Sequence, residues 1–191
     1  MKRWWIYQKE RFPLFAHGPL IAAFSASAVS YSALLRGRVR PAAVSFAIAF
    51  LVSLGSFLLL RIADEFKDAE EDARFRPYRP VPRGLVKLKE LAFVGRAVAA
   101  LQLALAIPIG WPLVGLLLVT WTYFALMKKE FFARTWLKAR PVAYLFSHML
   151  IMPLIDVYTS ACDWLPAHVP LPGGLRWFLI ASFFNGMVSE V

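Results

Sequence analysis

The chain passes directly from an apolar run into an acidic one within residues 41–72, PAAVSFAIAFLVSLGSFLLLRIADEFKDAEED. Residues 41–60 carry no charge, and about 20 such residues are what a helix needs to cross the hydrocarbon core of a bilayer. The acidic part places Asp64, Asp68 and Asp72 four residues apart. Steps of four along a helix turn about 400°, so the sequence predicts a slightly drifting row of carboxylates about 6 Å apart, the Asp ladder, at a membrane edge.

The composition of the whole chain is typical of a membrane protein. Of its 191 residues, 59% are hydrophobic and 15% aromatic, and the mean hydropathy is +0.56, which is above the usual range of a soluble domain. Uncharged runs predict an all-α, multi-pass transmembrane bundle of about six helices. The predicted spans are 12–35, 41–60, two helices within 97–127 that separate at 107–112, 141 to about 162, and a sixth that begins at 177.

The sixth apolar run is short. Residues 177–189 number thirteen, whereas a spanning helix needs about 20. We therefore expect residues 1–191 to form a single transmembrane domain that is the N-terminal part of a longer protein.

Basic residues are concentrated on one side of the predicted spans. The N-terminal segment, the loop after the second span and the segment 128–140 hold most of them, whereas the other side holds Arg36, Arg38, Arg40 and Arg176. The positive-inside rule therefore predicts a multi-pass protein of the cell membrane with a cytoplasmic N-terminus. It also places the Asp ladder and the segment 128–140 on the same aqueous side. Membrane lipid is the expected anionic surface, and no nucleic-acid partner is expected.

A stiff, arginine-rich turn follows the Asp ladder. Three prolines lie between Pro77 and Pro82, and they prevent the ladder helix from continuing. The turn Arg79-Pro-Val-Pro-Arg-Gly84 can fold its guanidinium groups back over the carboxylates. Mg²⁺ prefers a few carboxylate oxygens together with phosphate and water, and arginine binds phosphate with paired donors. The segment therefore suits a substrate that bears phosphate.

These residues resemble the first Asp-rich motif of the UbiA superfamily of intramembrane prenyltransferases, Asn-x3-Asp-x3-Asp followed shortly by Arg-Pro-[Leu/Val]-Pro-x-Gly. Asp68 and Asp72 match the two family aspartates, and Asp64 stands where the family usually has Asn. A weaker match is FALMKK at 124–129, which resembles the family segment Tyr-Pro-x-x-Lys-Arg. The resemblance implies the first six of about nine helices, with the second Asp-rich motif beyond this chain.

The resemblance also implies an activity and a set of site residues. The activity is Mg²⁺-dependent transfer of a prenyl group from a polyprenyl diphosphate to a lipophilic or aromatic acceptor. The implied residues are the catalytic aspartates Asp68 and Asp72, the metal ligands Asp64, Asp68 and Asp72, and the diphosphate-binding cations Arg79, Lys128 and Lys129. Since the second motif is missing from these 191 residues, they are expected to lack half of the metal-binding apparatus.

Two other functions and one structural interpretation compete with this hypothesis. A CDP-alcohol phosphotransferase also uses spaced aspartates at a membrane edge, although the residues before Asp68 lack its Asp-Gly-x2-Ala-Arg pattern. A non-catalytic membrane module would use its basic face to hold anionic lipid. The structural interpretation is a solvated helix end with ion pairs at a spacing of four. Those pairs would be Arg61 with Glu65, Lys67 with Glu71, and Asp72 with Arg76.

Overall fold

The computed structural model describes residues 2–189, and every regular element in that range is a helix. Met1, Glu190 and Val191, which belong to the predicted domain 1–191, lie outside the described residues. A 3₁₀ turn at Glu130–Phe132 joins the sixth helix to the seventh. In chain order the helices are α1 Lys2–Arg11, α2 Leu14–Leu35, α3 Ala43–Lys67, α4 Ala69–Phe75, α5 Leu88–Ala106, α6 Trp111–Lys128, α7 Arg134–Lys138, α8 Pro141–Met149, α9 Ile151–Trp164 and α10 Leu175–Ser189.

Four of the six predicted spans have the length and hydropathy of membrane helices. They are α2, α3, α6 and the consecutive pair α8 and α9, which together cover Pro141–Trp164. The third predicted span forms as α5, which has 19 residues but carries Lys89, Glu90 and Arg96. The sixth forms as α10, with 15 residues. The all-α class is thus confirmed, with four helices long and apolar enough to cross a membrane, and the six-span portion of a nine-helix fold stays a prediction.

The predicted break within 97–127 is confirmed. The α5 helix ends at Ala106 and α6 begins at Trp111. Between them, Gly110 adopts a φ of +133°, which L side chains rarely tolerate. Pro112 lies in the first turn of α6, where its missing N–H is no loss because no helical acceptor would face it.

The fifth predicted span is a helix broken at Leu150. The α8 helix ends at Met149 and α9 resumes at Ile151. Pro153 explains the break, because its ring cannot donate to the carbonyl of Met149 and clashes with it. Tyr144 of α8 contacts Lys67 at the end of the bundle that holds α1, α4 and α7, which we call the charged end.

The α3 helix, on which the Asp ladder begins with Asp64, lies at the centre of the bundle. It packs against α2, α5 and α9, and α9 in turn packs against α2, α6 and α10. The main apolar core joins Val29 of α2, Val52 of α3, Leu117 of α6 and Tyr158 of α9, all of them buried. The ladder therefore stands on a helix that is fixed by packing on several sides.

A polar bridge locks α3 to α5 and α6. Gln102 of α5 donates to the carbonyl of Val52 at 3.0 Å and to the hydroxyl of Ser56 at 2.9 Å, and it accepts from Trp121 of α6 at 3.1 Å. Gly55 permits this approach, since a Cβ there would lie 3.1 Å from the Gln102 amide. Because an unsatisfied amide is costly in an apolar interior, this bridge fixes the register of α3.

Ion pairs hold both ends of the bundle. At the charged end, Arg11 of α1 pairs with Glu65 of α3 at 2.5 Å, and Lys67 pairs with Glu130 beyond α6 at 3.2 Å. The Asp ladder and the segment 128–140 thus lie at the same end of the bundle, whereas their assignment to the cytoplasmic side stays a prediction. At the opposite end, Arg36 pairs with Asp163 at 2.7 Å. That pair gives a structural role to one of the arginines that oppose the positive-inside pattern.

Candidate functional site

The Asp ladder keeps its spacing across the junction of α3 and α4. The N–H of Asp68 donates to the carbonyl of Asp64 at 2.9 Å, and the N–H of Asp72 donates to the carbonyl of Asp68 at 2.8 Å. The backbone thus follows a nearly continuous helical path, with Asp68 between the two helices. Each step of four turns the side chain about 40° past its predecessor, so the three carboxylates face different neighbours.

Asp72 is a buried carboxylate that is paired with two arginines. The Nη1 of Arg79 donates to both of its oxygens, at 2.7 and 2.6 Å, and Arg76 donates at 3.1 Å. Burial alone would raise the pKa of Asp72, but the hydrogen bonds from Arg79 and Arg76 outweigh it and lower the pKa below its usual range. The predicted folding of the arginine turn over the ladder is confirmed at this carboxylate.

Asp64 and Asp68 have far fewer cationic contacts. The Asp64 side chain is 50% exposed, and its ion pair with Arg61 is long, at 3.9 Å. No ion pair or hydrogen bond reaches the Asp68 side chain from the residues that the structure describes. Burial, followed by the charges of Asp72 and Glu71, raises the pKa of Asp68 despite the opposing effect of Lys67. Both carboxylates have oxygens free to bind a ligand.

An apolar cleft of about 540 Å³ lies between α2, α3 and α9 and ends at Asp64. Its walls include Ile21, Phe24 and Phe57, and the two phenylalanine rings meet edge to face with centroids 5.4 Å apart. Arg61 joins Asp64 at the polar end of the cleft. The cleft therefore offers an apolar surface with two charged groups at one end.

A second, polar cavity of about 590 Å³ lies one turn further along the ladder. Asp68 and Lys67 line one wall, and Glu130, Arg134, Lys138 and Tyr144 line the other. Lys67 donates to the Tyr144 hydroxyl at 2.7 Å and pairs with Glu130. This cavity combines acidic and basic groups at the charged end, as a site for a phosphate and its counter-ion requires.

The predicted diphosphate-binding cations lie in three different settings. Arg79 is engaged by Asp72. Lys128 lies over the Phe66 ring, 4.6 Å from its centroid, and lines a small cavity with Asp64. Lys129 is exposed. The structure brings Lys128 close to the ladder, whereas the cations that line the polar cavity with Asp68 are Lys67, Arg134 and Lys138.

Two of the three predicted ion pairs at a spacing of four are present. Arg61 reaches Glu65 at 3.5 Å and Arg76 reaches Asp72 at 3.1 Å. The third, between Lys67 and Glu71, is wrong, because Lys67 turns instead toward the other wall of the cavity. A contact across the bundle thus displaces a local helical one.

Sequence reasoning missed Glu65 and Glu130 as buried carboxylates. Glu65 is 1% exposed and is held by Arg11 from α1; Glu130 is also buried. The shorter ion pair of each residue comes from a distant segment, from Arg11 to Glu65 and from Lys67 to Glu130, and no sequence spacing predicts those two contacts. One available signal is the scarcity of acids: Glu130 is the single acidic residue between 91 and 155, in a strongly basic segment.

The residues present fit a magnesium ion only in part. Both oxygens of Asp72 accept from Arg79, so this carboxylate does not fit as a third metal ligand while that pair stands. Within residues 2–189, no three acidic, histidine or cysteine side chains are gathered as a metal site. Asp64 and Asp68 do fit, because Mg²⁺ is commonly bound by one or two carboxylates together with substrate phosphates.

Comparison of the chain with family models, with curated proteins and with solved structures gave no match. The geometry of the charged end is therefore the basis on which a function is proposed.

Proposed function

We propose that this protein transfers a prenyl group from a polyprenyl diphosphate to a lipophilic or aromatic acceptor, with Mg²⁺ as cofactor. The observation that carries the proposal is the position of the two open carboxylates. Asp64 ends an apolar cleft, and Asp68, one helical turn away, lines a polar cavity. An amphiphile with a long apolar tail and a charged head matches that arrangement.

The apolar tail would lie in the cleft between α2, α3 and α9. Phe24 and Phe57 present ring surfaces there. Departure of the diphosphate leaves positive charge on the allylic carbon, and an aromatic face near that charge is worth roughly 0.5–2 kcal/mol.

The diphosphate head would lie at the charged end. Lys67 and Lys128 offer ammonium groups near Asp64, since all three line the same small cavity. Fixed positive charge at the position where negative charge accumulates is usually the largest contribution to catalysis. Asp64 and Asp68 would hold Mg²⁺, which when bound would neutralise the departing diphosphate. Asp72 acts in this proposal through Arg79, by fixing the arginine turn beside the ladder.

The test is a transfer assay with radiolabelled geranylgeranyl diphosphate and membranes that contain the protein. Asp68→Asn should lower the Mg²⁺-dependent appearance of label in lipid products by about 100-fold or more. Glu10→Gln is the matched control, because Glu10 is exposed at the same end, pairs with Arg83 at 3.0 Å and lines neither cavity. Full transfer by Asp68→Asn at unchanged protein abundance would refute the site.

A specific observation also favours the non-catalytic membrane module as a second candidate. Glu65 and Asp72 are both neutralised by arginines, as in a helix end that is stabilised by ion pairs. This module would retain no label in any lipid product, with or without Mg²⁺. It would bind vesicles that contain anionic lipid, and Asp68→Asn would leave that binding unchanged or strengthen it.

A further inference from the structure

The α1 helix is fixed along one side to the charged end of the bundle. Its ten residues form a helix about 15 Å long, which is about half the thickness of the hydrocarbon core of a bilayer. Tyr7 packs in a buried cluster with Ile62 of α3 and Leu91 of α5. Three ion pairs hold α1 to other segments, and they join Arg11 to Glu65 of α3, Arg3 to Glu90 of α5, and Glu10 to Arg83 of the arginine turn. The helix is therefore too short to cross a membrane and is held firmly at the charged end.

The other side of α1 is an exposed face of aromatic and basic side chains. Lys2, Trp5 and Lys9 are spaced by three and four residues, so they share one side of the helix. All three are exposed. The Trp5 ring meets that of Phe15, near the start of α2, edge to face with centroids 6.2 Å apart, and Phe15 is itself 82% exposed. We call these four residues the outer face.

The lysines of the outer face have no counter-charge within the described chain. The three carboxylates that join α1 to its neighbours, Glu10, Glu65 and Glu90, are each paired with an arginine. No ion pair reaches Lys2 or Lys9 from the part of the chain that the structure describes. The outer face therefore presents two uncompensated positive charges beside its aromatic pair, and an anionic partner would complement it.

The aromatic pair fixes the level of the outer face relative to the membrane. The α2 helix begins at Leu14 and is long and apolar enough to span a bilayer. Phe15 lies in its first turn, so the contact with Trp5 places the indole ring where that span would begin. Tryptophan is enriched at this level, between the headgroups and the acyl chains, and lysine beside it reaches the headgroups. A phospholipid supplies both matching parts, an apolar region for the rings and a phosphate for the ammonium groups.

We infer that the outer face of α1 binds anionic phospholipid, with headgroups at Lys2 and Lys9 and the upper part of the acyl chains against Trp5 and Phe15. A zwitterionic phospholipid brings its own cation, so it gains less from the two lysines. An acidic peptide would complement the lysines but not the rings at the start of a span. The inference goes beyond the proposed function, because no residue of the outer face lines either cavity.

The experiment measures quenching of tryptophan fluorescence by brominated lipid in vesicles that contain the full chain. The vesicles are equimolar in phosphatidylglycerol and phosphatidylcholine, and bromine is carried on the acyl chains of one lipid or of the other. The difference between the parent chain and Trp5→Phe isolates the signal of Trp5. We expect a preference of about fivefold or more for phosphatidylglycerol at Trp5, and the double variant Lys2→Gln with Lys9→Gln should reduce it to about one. These side chains are exposed, so the fold should be unaffected.

The matched control is Lys129→Gln with Lys138→Gln, which removes the same charge from exposed positions at the charged end but leaves the outer face intact. Its preference at Trp5 should stay within about twofold of the parent value, since the attraction of a lysine for lipid falls off within a Debye length. Equal losses in the two double variants would show a diffuse attraction and would overturn the inference. Equal quenching of Trp5 by both lipids in the parent chain would also overturn it, as would quenching by neither, which would place the indole in water or against a protein partner. The readout does not involve prenyl transfer, so it succeeds or fails independently of the proposed function.

Discussion

Two sets of carboxylates lie side by side at the charged end, and they differ in burial and in cationic partners. The paired carboxylates, Glu65, Asp72 and Glu130, are buried and held by cations. The open carboxylates, Asp64 and Asp68, face cavities and lack close cationic partners. All five are acidic residues of one small region. Their neighbours, not their residue type, decide which stabilise the fold and which can bind a ligand.

Helix geometry explains why the ladder divides. Asp68 is displaced by about 40° from Asp64 around the helix axis, and Asp72 by about 80°, whereas Glu65 is displaced by about 100°. On an uninterrupted helix, the last step would therefore bring Asp72 toward the side of Glu65, and both of these carboxylates pair with arginine. The drift turns the first two carboxylates to the cavities and the third to the arginine turn.

The strongest test of the comparison is Glu65→Gln. It leaves the Arg11 guanidinium, which is 10% exposed, without its closest counter-charge. Removal of one partner from a buried ion pair costs about 3–5 kcal/mol. We expect the free energy of unfolding, measured by titration with denaturing detergent in mixed micelles, to fall by that amount. Asp64→Asn, one residue away, is the control and should change it by less than about 1 kcal/mol. Equal losses of unfolding free energy in the two variants would show that paired and open carboxylates do not differ in their contribution to stability.

A smaller fall in the free energy of unfolding is expected for Asp72→Asn. Hydrogen bonds between charged groups contribute about 1.5–3 kcal/mol each, and Arg79 regains part of this through water, so we expect a loss of about 2–3 kcal/mol. Because the pKa of Asp72 is lowered in the fold, its stabilisation is complete above the pKa of the unfolded carboxyl. It is lost as the pH falls through the lowered value.

Asp68→Asn is the matched control for the pH dependence of stability that Asp72 contributes. The pKa of Asp68 is raised in the fold, so its ionised form destabilises the protein above that raised value, and the penalty disappears as the pH falls. The difference in unfolding free energy between this variant and the parent chain should therefore have the opposite sign to that of Asp72→Asn. The same sign in both variants would contradict the assignment of open and paired carboxylates.

The smallest change in the free energy of unfolding is expected at Phe132, and it tests whether the backbone of the turn that contains Glu130 is strained. Phe132 is 80% exposed and has a φ of +58°, so the comparison is between Phe132→Gly and Phe132→Ala. Glycine relieves about 1–2 kcal/mol of left-handed strain but loses about 0.5–1 kcal/mol of chain entropy. We expect the glycine variant to be the more stable by about 0.5–1 kcal/mol in the same unfolding titration. An alanine variant of equal or greater stability would show that the turn is not strained.

The local features of the fold could be predicted, and the long-range contacts could not. Uncharged runs located the four apolar spans, and Gly110 with Pro112 marked the break between α5 and α6. The arginine turn was predicted to cover the ladder, and it does so at Asp72. The partner of Lys67 was predicted wrongly as Glu71, because a spacing of four is visible in sequence whereas Glu130 lies across the bundle.

The sequence by itself determined an all-helical membrane bundle and a row of aspartates at the end of a central apolar helix. It could do so because hydropathy and helical period are local properties, which a short window of the sequence already shows. Only the tertiary structure decided that Asp72 is closed by arginine, that Asp64 and Asp68 stay open, and that Glu130 holds Lys67. These outcomes depend on burial and on charges from distant segments, and such electrostatic conditions exist only after the helices have packed.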